Sequence, residues 1–188
     1  MRAKHFFANA ASKALTLAAA VVMMSAAFTS CSKDSDDDNL PESKAQTVTL
    51  DDVEIKVEKS TLTNVGENPH YYWLSLELEA GKEATTVLIA LETSMHNGKQ
   101  INLTEQKTKE RDGWAVTVLK GSKWLFSGQE EKNDDYKFSS GTMKLNVNPA
   151  TKDVEVKLTG GEITTPSGLF GDGKKHTLAI SYKGTAEK

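Results

Sequence analysis

The chain has 188 residues, of which 23 are basic and 26 acidic, so its formal net charge near neutral pH is −3. There is no basic excess of the kind that attracts phosphate backbones, and the composition therefore argues against nucleic-acid binding. The only cysteine, Cys31, leaves no partner for an intramolecular disulfide, and the length suits a single globular domain.

The first thirty residues have the pattern of a secretory signal peptide. A basic start precedes an uncharged stretch, Ala14 to Phe28, that is rich in Ala, Leu, Val and Met. A helix that spans a bilayer needs about 20 apolar residues, and this stretch ends sooner, at small residues followed by Cys31. The pattern predicts export rather than a transmembrane span, with residues 1–30 as the signal peptide.

Small residues lead directly into the cysteine in Phe28-Thr29-Ser30-Cys31. This segment resembles the lipobox of bacterial lipoproteins, and the resemblance implies cleavage before Cys31 and attachment of acyl chains to it. Several acyl chains hold a protein firmly at a membrane, because each buried methylene contributes about 0.8 kcal/mol. On this resemblance Cys31 is the lipid attachment residue, and the membrane is a partner through the anchor.

An acidic segment follows the cysteine at once. It contains four aspartates and no apolar side chain, and it consists of Ser32, Lys33, Asp34, Ser35, Asp36, Asp37 and Asp38. Such a segment cannot bury surface, so we expect a disordered tether over residues 31–45. It is similar to the export signal of outer-membrane lipoproteins of Bacteroidota. That resemblance implies an outer-membrane protein that faces the cell exterior, with retention on the periplasmic side as the alternative.

From Gln46 onward apolar and polar residues alternate with a period of two, which is typical of half-buried β-strands. Turn-forming residues separate the series, and no amphipathic helix is evident after the leader. Alternating series begin at Val53, Tyr72, Val87, Trp114, Met143, Val154 and Leu178. We therefore predict one all-β domain over residues 46–188, either an antiparallel β-sandwich or an up-and-down, calycin-like barrel of about 8–10 strands.

Four segments of this body add to the family resemblance. They are Gly98–Thr104, Gly113-Trp114, Ser140–Leu145 and His176–Gly184, and each has the pattern of a turn with a strand. In this order they resemble the small β-rich domains of Bacteroidota lipoproteins, over most of residues 46–188. The resemblance implies a habitat and a fold class, and it implies no particular activity.

Residues suited to catalysis are sparse. His70, His96 and His176 are far apart and have no metal-ligand spacing, so we expect surface histidines. The acidic segment 130–135 lacks the glycine spacing of a calcium loop, and we expect a solvated hairpin loop there. Solvent exposure is also expected for the carboxylates of Glu77, Glu79, Glu92, Asp112 and Glu162. The sequence predicts no catalytic residue, no metal site and no cofactor.

Aromatic residues give the one indication of ligand contact. Tyr71 and Trp73 lie on the strand face opposite the predicted core residues. We expect them to be covered; the alternative is an exposed platform that stacks on sugar rings or anchors a protein. Phe170 follows Leu169 in a glycine-rich loop, and we expect this pair to tuck under the sheet edge, with contact to a partner as the alternative.

Together these patterns favour a surface-tethered, non-enzymatic binding or accessory domain for a glycan or protein ligand. A lipocalin-like carrier, with inward aromatic side chains around an apolar cavity, is the alternative. An envelope hydrolase is the least favoured hypothesis, since it needs opposed carboxylates or a histidine in a cleft. Three features distinguish these hypotheses. Exposed clustered aromatics support the binding domain, an unfilled cavity supports the carrier, and convergent titratable groups in a cleft support the hydrolase.

Overall fold

Ten antiparallel strands form one sheet in the computed structural model of the chain, which describes residues 44–78, 84–107 and 113–187. The strands are β1 (Thr47–Leu50), β2 (Val53–Asn64), β3 (Tyr71–Leu78), β4 (Thr85–Glu92), β5 (Gln100–Asn102), β6 (Ala115–Lys120), β7 (Lys123–Gln129), β8 (Phe138–Asn148), β9 (Asp153–Thr164) and β10 (Lys175–Thr185). The helical elements of these ranges are one α-turn, α1 (Thr93–His96), and one 3-10 turn (Asp134–Tyr136). Neither is long enough to cross a bilayer.

The sheet has the strand order β5-β8-β9-β10-β1-β2-β3-β4-β6-β7. Most consecutive strands are neighbours, as in an up-and-down arrangement, but β5 leaves the series to pair with β8. The sheet curls into a half-barrel. The curl brings Phe126 of β7 to within 6.2 Å of Phe138 of β8, measured between ring centroids, although β7 and β8 lie near opposite ends of the strand order. The prediction of an antiparallel all-β fold is confirmed.

The concave face of the sheet holds the hydrophobic core. Its largest fully buried side chains are Phe126, Phe138, Leu62, Leu74, Leu76, Ile89, Leu91, Leu103, Met143, Leu145, Leu158 and Ile163. The alternation rule fails for Val53, which shares a predicted face with Val57 yet is 59% exposed. Val53 is the first residue of β2, directly after the reversal from β1, and its side chain stays in solvent although its cross-strand partner Leu50 is buried.

Several predicted features lie outside the described residues. These are the signal peptide, the attachment residue Cys31, the export signal over residues 32–38 and the carboxylates of Glu79 and Asp112. Their roles stay predictions from the sequence.

Candidate functional site

The convex face of β3, β4, β6 and β7 carries a row of aromatic residues beside small ones. In the register of the sheet Trp73 lies opposite Ala90, and Ala90 lies opposite Ala115. Two methyl side chains next to an indole leave a groove on the sheet surface. The groove has a volume of about 130 Å³ and is lined by Tyr71, Trp73, Leu88, Ala90, Ala115, Thr117 and Trp124.

Trp124 reaches the convex face because β7 contains a β-bulge. Val118 of β6 pairs with Phe126, whereas the next residue, Leu119, pairs with Trp124, so Leu125 is an extra residue in β7. Strict alternation would place Trp124 on the core side together with Phe126, and the bulge reverses its orientation. The sequence pattern alone therefore does not reveal Trp124 as a surface residue.

A second groove lies on the other side of Trp124. The ring of Phe170 packs edge-on against Trp124, with centroids 4.9 Å apart, and against Tyr136, with centroids 5.9 Å apart. Edge-to-face packing of this kind holds aromatic rings in fixed positions. The groove has a volume of about 180 Å³ and is lined by Thr117, Trp124, Ser127, Gln129, Tyr136 and Phe170. We call Tyr71, Trp73, Trp124, Tyr136 and Phe170 the aromatic surface.

The structure brings all three predicted contact residues onto this surface. Tyr71 is half-buried, Trp73 is 46% exposed and Phe170 is 37% exposed. The expectation that Tyr71 and Trp73 are covered is therefore wrong for Trp73, whose indole is exposed among the described residues. The expectation that the pair Leu169 and Phe170 tucks under the sheet edge is also wrong, since Leu169 is 75% exposed and Phe170 is 37% exposed.

A buried histidine anchors the loop that carries Phe170. Nδ1 of His176 is 2.8 Å from Oδ2 of Asp51, and its Nε2 is 3.0 Å from Oδ1 of Asp172. The backbone N–H of Asp172 donates to the carbonyl oxygen of Leu125 on β7. Burial disfavours the charged form of Asp172, but the hydrogen bonds from His176 and from the Lys174 N–H prevail and lower its pKa. The expectation of a surface histidine is wrong here, because His176 is buried.

A second buried histidine lies at a cleft of about 520 Å³ beside α1 and β5. Nε2 of His96 is 2.8 Å from Oε2 of Glu130, Nζ of Lys107 is 2.9 Å from Oε1, and the Trp114 N–H donates to Oε2. Burial alone would raise the pKa of Glu130. The hydrogen bonds and the electrostatic attraction from Lys107 and His96 outweigh this effect, so the pKa is lowered. Two expectations are wrong here: His96 is not on the surface, and Glu130 is not part of a solvated loop.

The buried carboxylates fit structural roles better than that of a catalytic acid. A carboxylic acid that donates a proton near neutral pH needs a raised pKa. Among the described residues, the carboxyl pKa lies below its ordinary value at Glu92, Glu130, Asp153, Glu162 and Asp172. Glu92 was expected in solvent but is buried, where it accepts hydrogen bonds from Ser94 and Asn68. Glu77 is exposed as expected, and Glu162 is half-buried.

Comparisons with protein-family models, with curated proteins and with solved structures give no match to this chain. The geometry of the described residues and the sequence patterns are therefore the basis on which a function is proposed for this chain.

Proposed function

We propose that this chain is a lipid-anchored outer-membrane lipoprotein whose β-domain binds saccharides through the aromatic surface. One observation carries the binding proposal: the indole of Trp73 is 46% exposed beside a groove that Trp124 also lines. Burying apolar surface stabilises a fold by about 25 cal/mol per Å². Large rings left in contact with water at one place mark an interaction surface, because folding alone does not account for them.

A saccharide fits these grooves because both polar and aromatic groups line them. Sugar rings present C–H groups on their faces and hydroxyl groups around their edges, so they need a flat apolar surface with hydrogen-bonding neighbours. Thr117, Ser127 and Gln129 lie beside the rings of Trp124 and Phe170. The hydroxyls of Thr117 and Ser127 are 2.9 Å apart, and each hydroxyl keeps further hydrogen-bonding capacity for a ligand.

The grooves also have the rigidity that weak sugar binding requires. Thr117 and Ala115 are on a strand paired on both sides, and Phe170 is held by edge-on contacts with two other rings. A surface that is already ordered loses little conformational entropy when a ligand binds, so more of the contact energy appears as affinity. The carrier alternative has less support, because large side chains fill the concave face.

Sequence patterns support the membrane location. Phe28-Thr29-Ser30-Cys31 resembles a lipobox, and the aspartates of residues 34–38 resemble a surface-export signal. A lipid-anchored, outward-facing domain would meet extracellular glycans before they enter the cell envelope. The proposed role is accessory and non-enzymatic: the domain holds a glycan at the cell surface.

The proposal is tested by a Trp73→Ala variant of the mature protein, kept in detergent micelles and applied to an oligosaccharide array. Removal of a central aromatic contact typically costs at least about 2 kcal/mol of binding energy, or roughly 30-fold in affinity. We expect a loss of this size with little change in melting temperature, because Trp73 is largely on the surface.

Val53→Ala is the matched control, since Val53 is also an exposed apolar strand residue, 59% exposed, and lines neither groove. Saccharide binding that survives Trp73→Ala, or that Val53→Ala reduces equally, would contradict the proposed site. A large drop in melting temperature for Trp73→Ala would instead identify the residue as structural.

A further inference from the structure

The two grooves of the aromatic surface differ in the chemistry of their floors. Trp73 on β3 and Trp124 on β7 flank the first groove, and the strands between them are β4 and β6. These strands supply the half-buried side chains of Leu88, Ala90 and Ala115. Ala90 and Ala115 are cross-strand partners, so their methyl groups lie side by side. We call this groove the methyl groove, because its floor is aliphatic.

The groove on the other side of Trp124 has a polar floor. Ser127 and Gln129 of β7 line it, together with Thr117 of β6. Thr117 also borders the methyl groove, but its hydroxyl is 2.9 Å from that of Ser127 and so belongs to the polar side. Hydroxyl groups and side-chain amides both donate and accept hydrogen bonds. We call this groove the hydroxyl groove.

The size and spacing of the grooves suit two successive units of one saccharide chain. Their volumes are about 130 and 180 Å³, whereas a site for a whole drug-sized ligand has about 300–1,000 Å³. Each groove therefore has room for one part of a ligand. Neighbouring strands lie about 4.8 Å apart, so the aliphatic floor on β4 and β6 is one to two strand spacings from the polar floor on β7.

We infer that the saccharide carries a methyl substituent, on an N-acetylamino or 6-deoxy sugar unit, which lies on the floor of the methyl groove. The neighbouring unit then occupies the hydroxyl groove. This inference rests on the proposed function, and it deepens it by naming the chemical group that the site selects.

The selection follows from what the aliphatic floor offers to the rim of a sugar ring. A unit that stacks on Trp73 or Trp124 turns part of its rim toward this floor. A hydroxyl group there would lose its hydrogen bonds to water and gain none from Leu88, Ala90 or Ala115, which is unfavourable. A methyl group at the same place would bury apolar surface, which is favourable. Burial of one methyl group corresponds to roughly fourfold in affinity.

The test uses the mature protein in detergent micelles and an array of matched oligosaccharide pairs. One set pairs each 6-deoxy sugar with its 6-hydroxy counterpart, and the other pairs each N-acetylamino sugar with its N-formylamino counterpart, which lacks only the methyl group. We expect the wild type to prefer the methyl-bearing member of at least one set by roughly fourfold or more. The set that shows the preference identifies the source of the methyl group.

The variant combines Ala90→Ser with Ala115→Ser, which adds hydroxyl groups to the floor of the methyl groove. It should lose the preference for the methyl-bearing member and keep a melting temperature near that of the wild type, because both side chains are on the outer face of the sheet. Ala150→Ser is the matched control, since Ala150 is an exposed alanine of the turn between β8 and β9 and lines neither groove. The control should keep the preference.

Three results would overturn the inference. Equal binding to both members of every pair, with Trp73→Ala still abolishing binding, would leave the proposed function intact and refute the selection of a methyl group. A preference that the double variant retains, or that Ala150→Ser loses equally, would show that the methyl group does not lie on this floor. A lack of binding to every saccharide would refute the proposed function together with the inference.

Discussion

The substitution Gly128→Ala tests whether the sheet curls as described. Gly128 lies on β7, and a methyl group there would overlap the ring of Phe138 and lie 2.9 Å from Cδ1 of Ile163 on β9. Phe138 is fully buried and cannot move aside easily, since its ring centroid is 6.2 Å from that of Phe126 and 6.3 Å from that of Trp114. The contact exists only because β7 and the β8–β9 pair face each other across the core.

The size of the effect follows from overpacking. An added methyl group in a close-packed core typically costs about 1–3 kcal/mol, and two crowded partners place this site at the upper end. Alanine recovers roughly 0.5 kcal/mol relative to glycine by restricting the unfolded chain. The net loss should be about 2 kcal/mol, or roughly 6–8 °C in melting temperature for a domain of this size.

Thermal and urea unfolding followed by circular dichroism would measure this loss. Gly168→Ala is the matched control, because a methyl group at Gly168 meets no atom within 4 Å. The control should be neutral or slightly stabilising. If both variants unfold within about 0.5 kcal/mol of each other, β7 does not pack on Phe138 and the half-barrel description is wrong.

Three further predictions concern the ion cluster around the buried carboxylate of Glu130, the contact of Asp172 with His176 that anchors the Phe170 loop, and the membrane anchor at Cys31. Glu130→Gln should cost about 2 kcal/mol near neutral pH, because a charged acceptor of three donors is lost. Folding lowers the pKa of Glu130 from its ordinary 4.5, so this stabilisation is present above that value and disappears as pH falls through the folded value. Urea unfolding at a series of pH values should therefore show the two proteins converging on acidification, and a constant difference would contradict the ion cluster. Asp172→Ala should release the Phe170 loop and weaken saccharide binding, with a loss of about 1–3 kcal/mol of stability because Nε2 of the buried His176 loses its partner; unchanged affinity would show that the loop does not contribute. Metabolic labelling with an acyl analogue should tag the wild type and not Cys31→Ala, and labelling of the variant would refute the lipid attachment at Cys31.

The sequence predicts the fold class well because strand alternation is a local property. The series around Leu74, Val87 and Met143 follow the period of two, and these side chains are buried as expected. Alternation also places Trp73 on the outer face. Whether another layer covers that face depends on the whole topology, which explains why the expected burial of Trp73 was wrong.

The rest of the site depends on contacts between distant residues. His96 and Glu130 are 34 positions apart, and His176 and Asp51 are 125 positions apart. His96 and Glu130 meet because the chain leaves the sheet order at β5, and no spacing between nearby residues in the sequence predicts this departure. Trp124 turns outward because of one extra residue in β7, and alternation gives the opposite orientation. Long-range pairing and a bulge are therefore what the sequence patterns could not provide.

The most direct test of saccharide binding uses the three tryptophans as probes within one sample. Their indole N–H resonances are followed by NMR while an oligosaccharide that binds on the array is added. Trp73 and Trp124 line the grooves, whereas Trp114 is 2% exposed and lies in the core. We predict that the resonances of Trp73 and Trp124 shift with saturation and that the Trp114 resonance does not. Saturable binding that leaves Trp73 and Trp124 unmoved would contradict the proposed function.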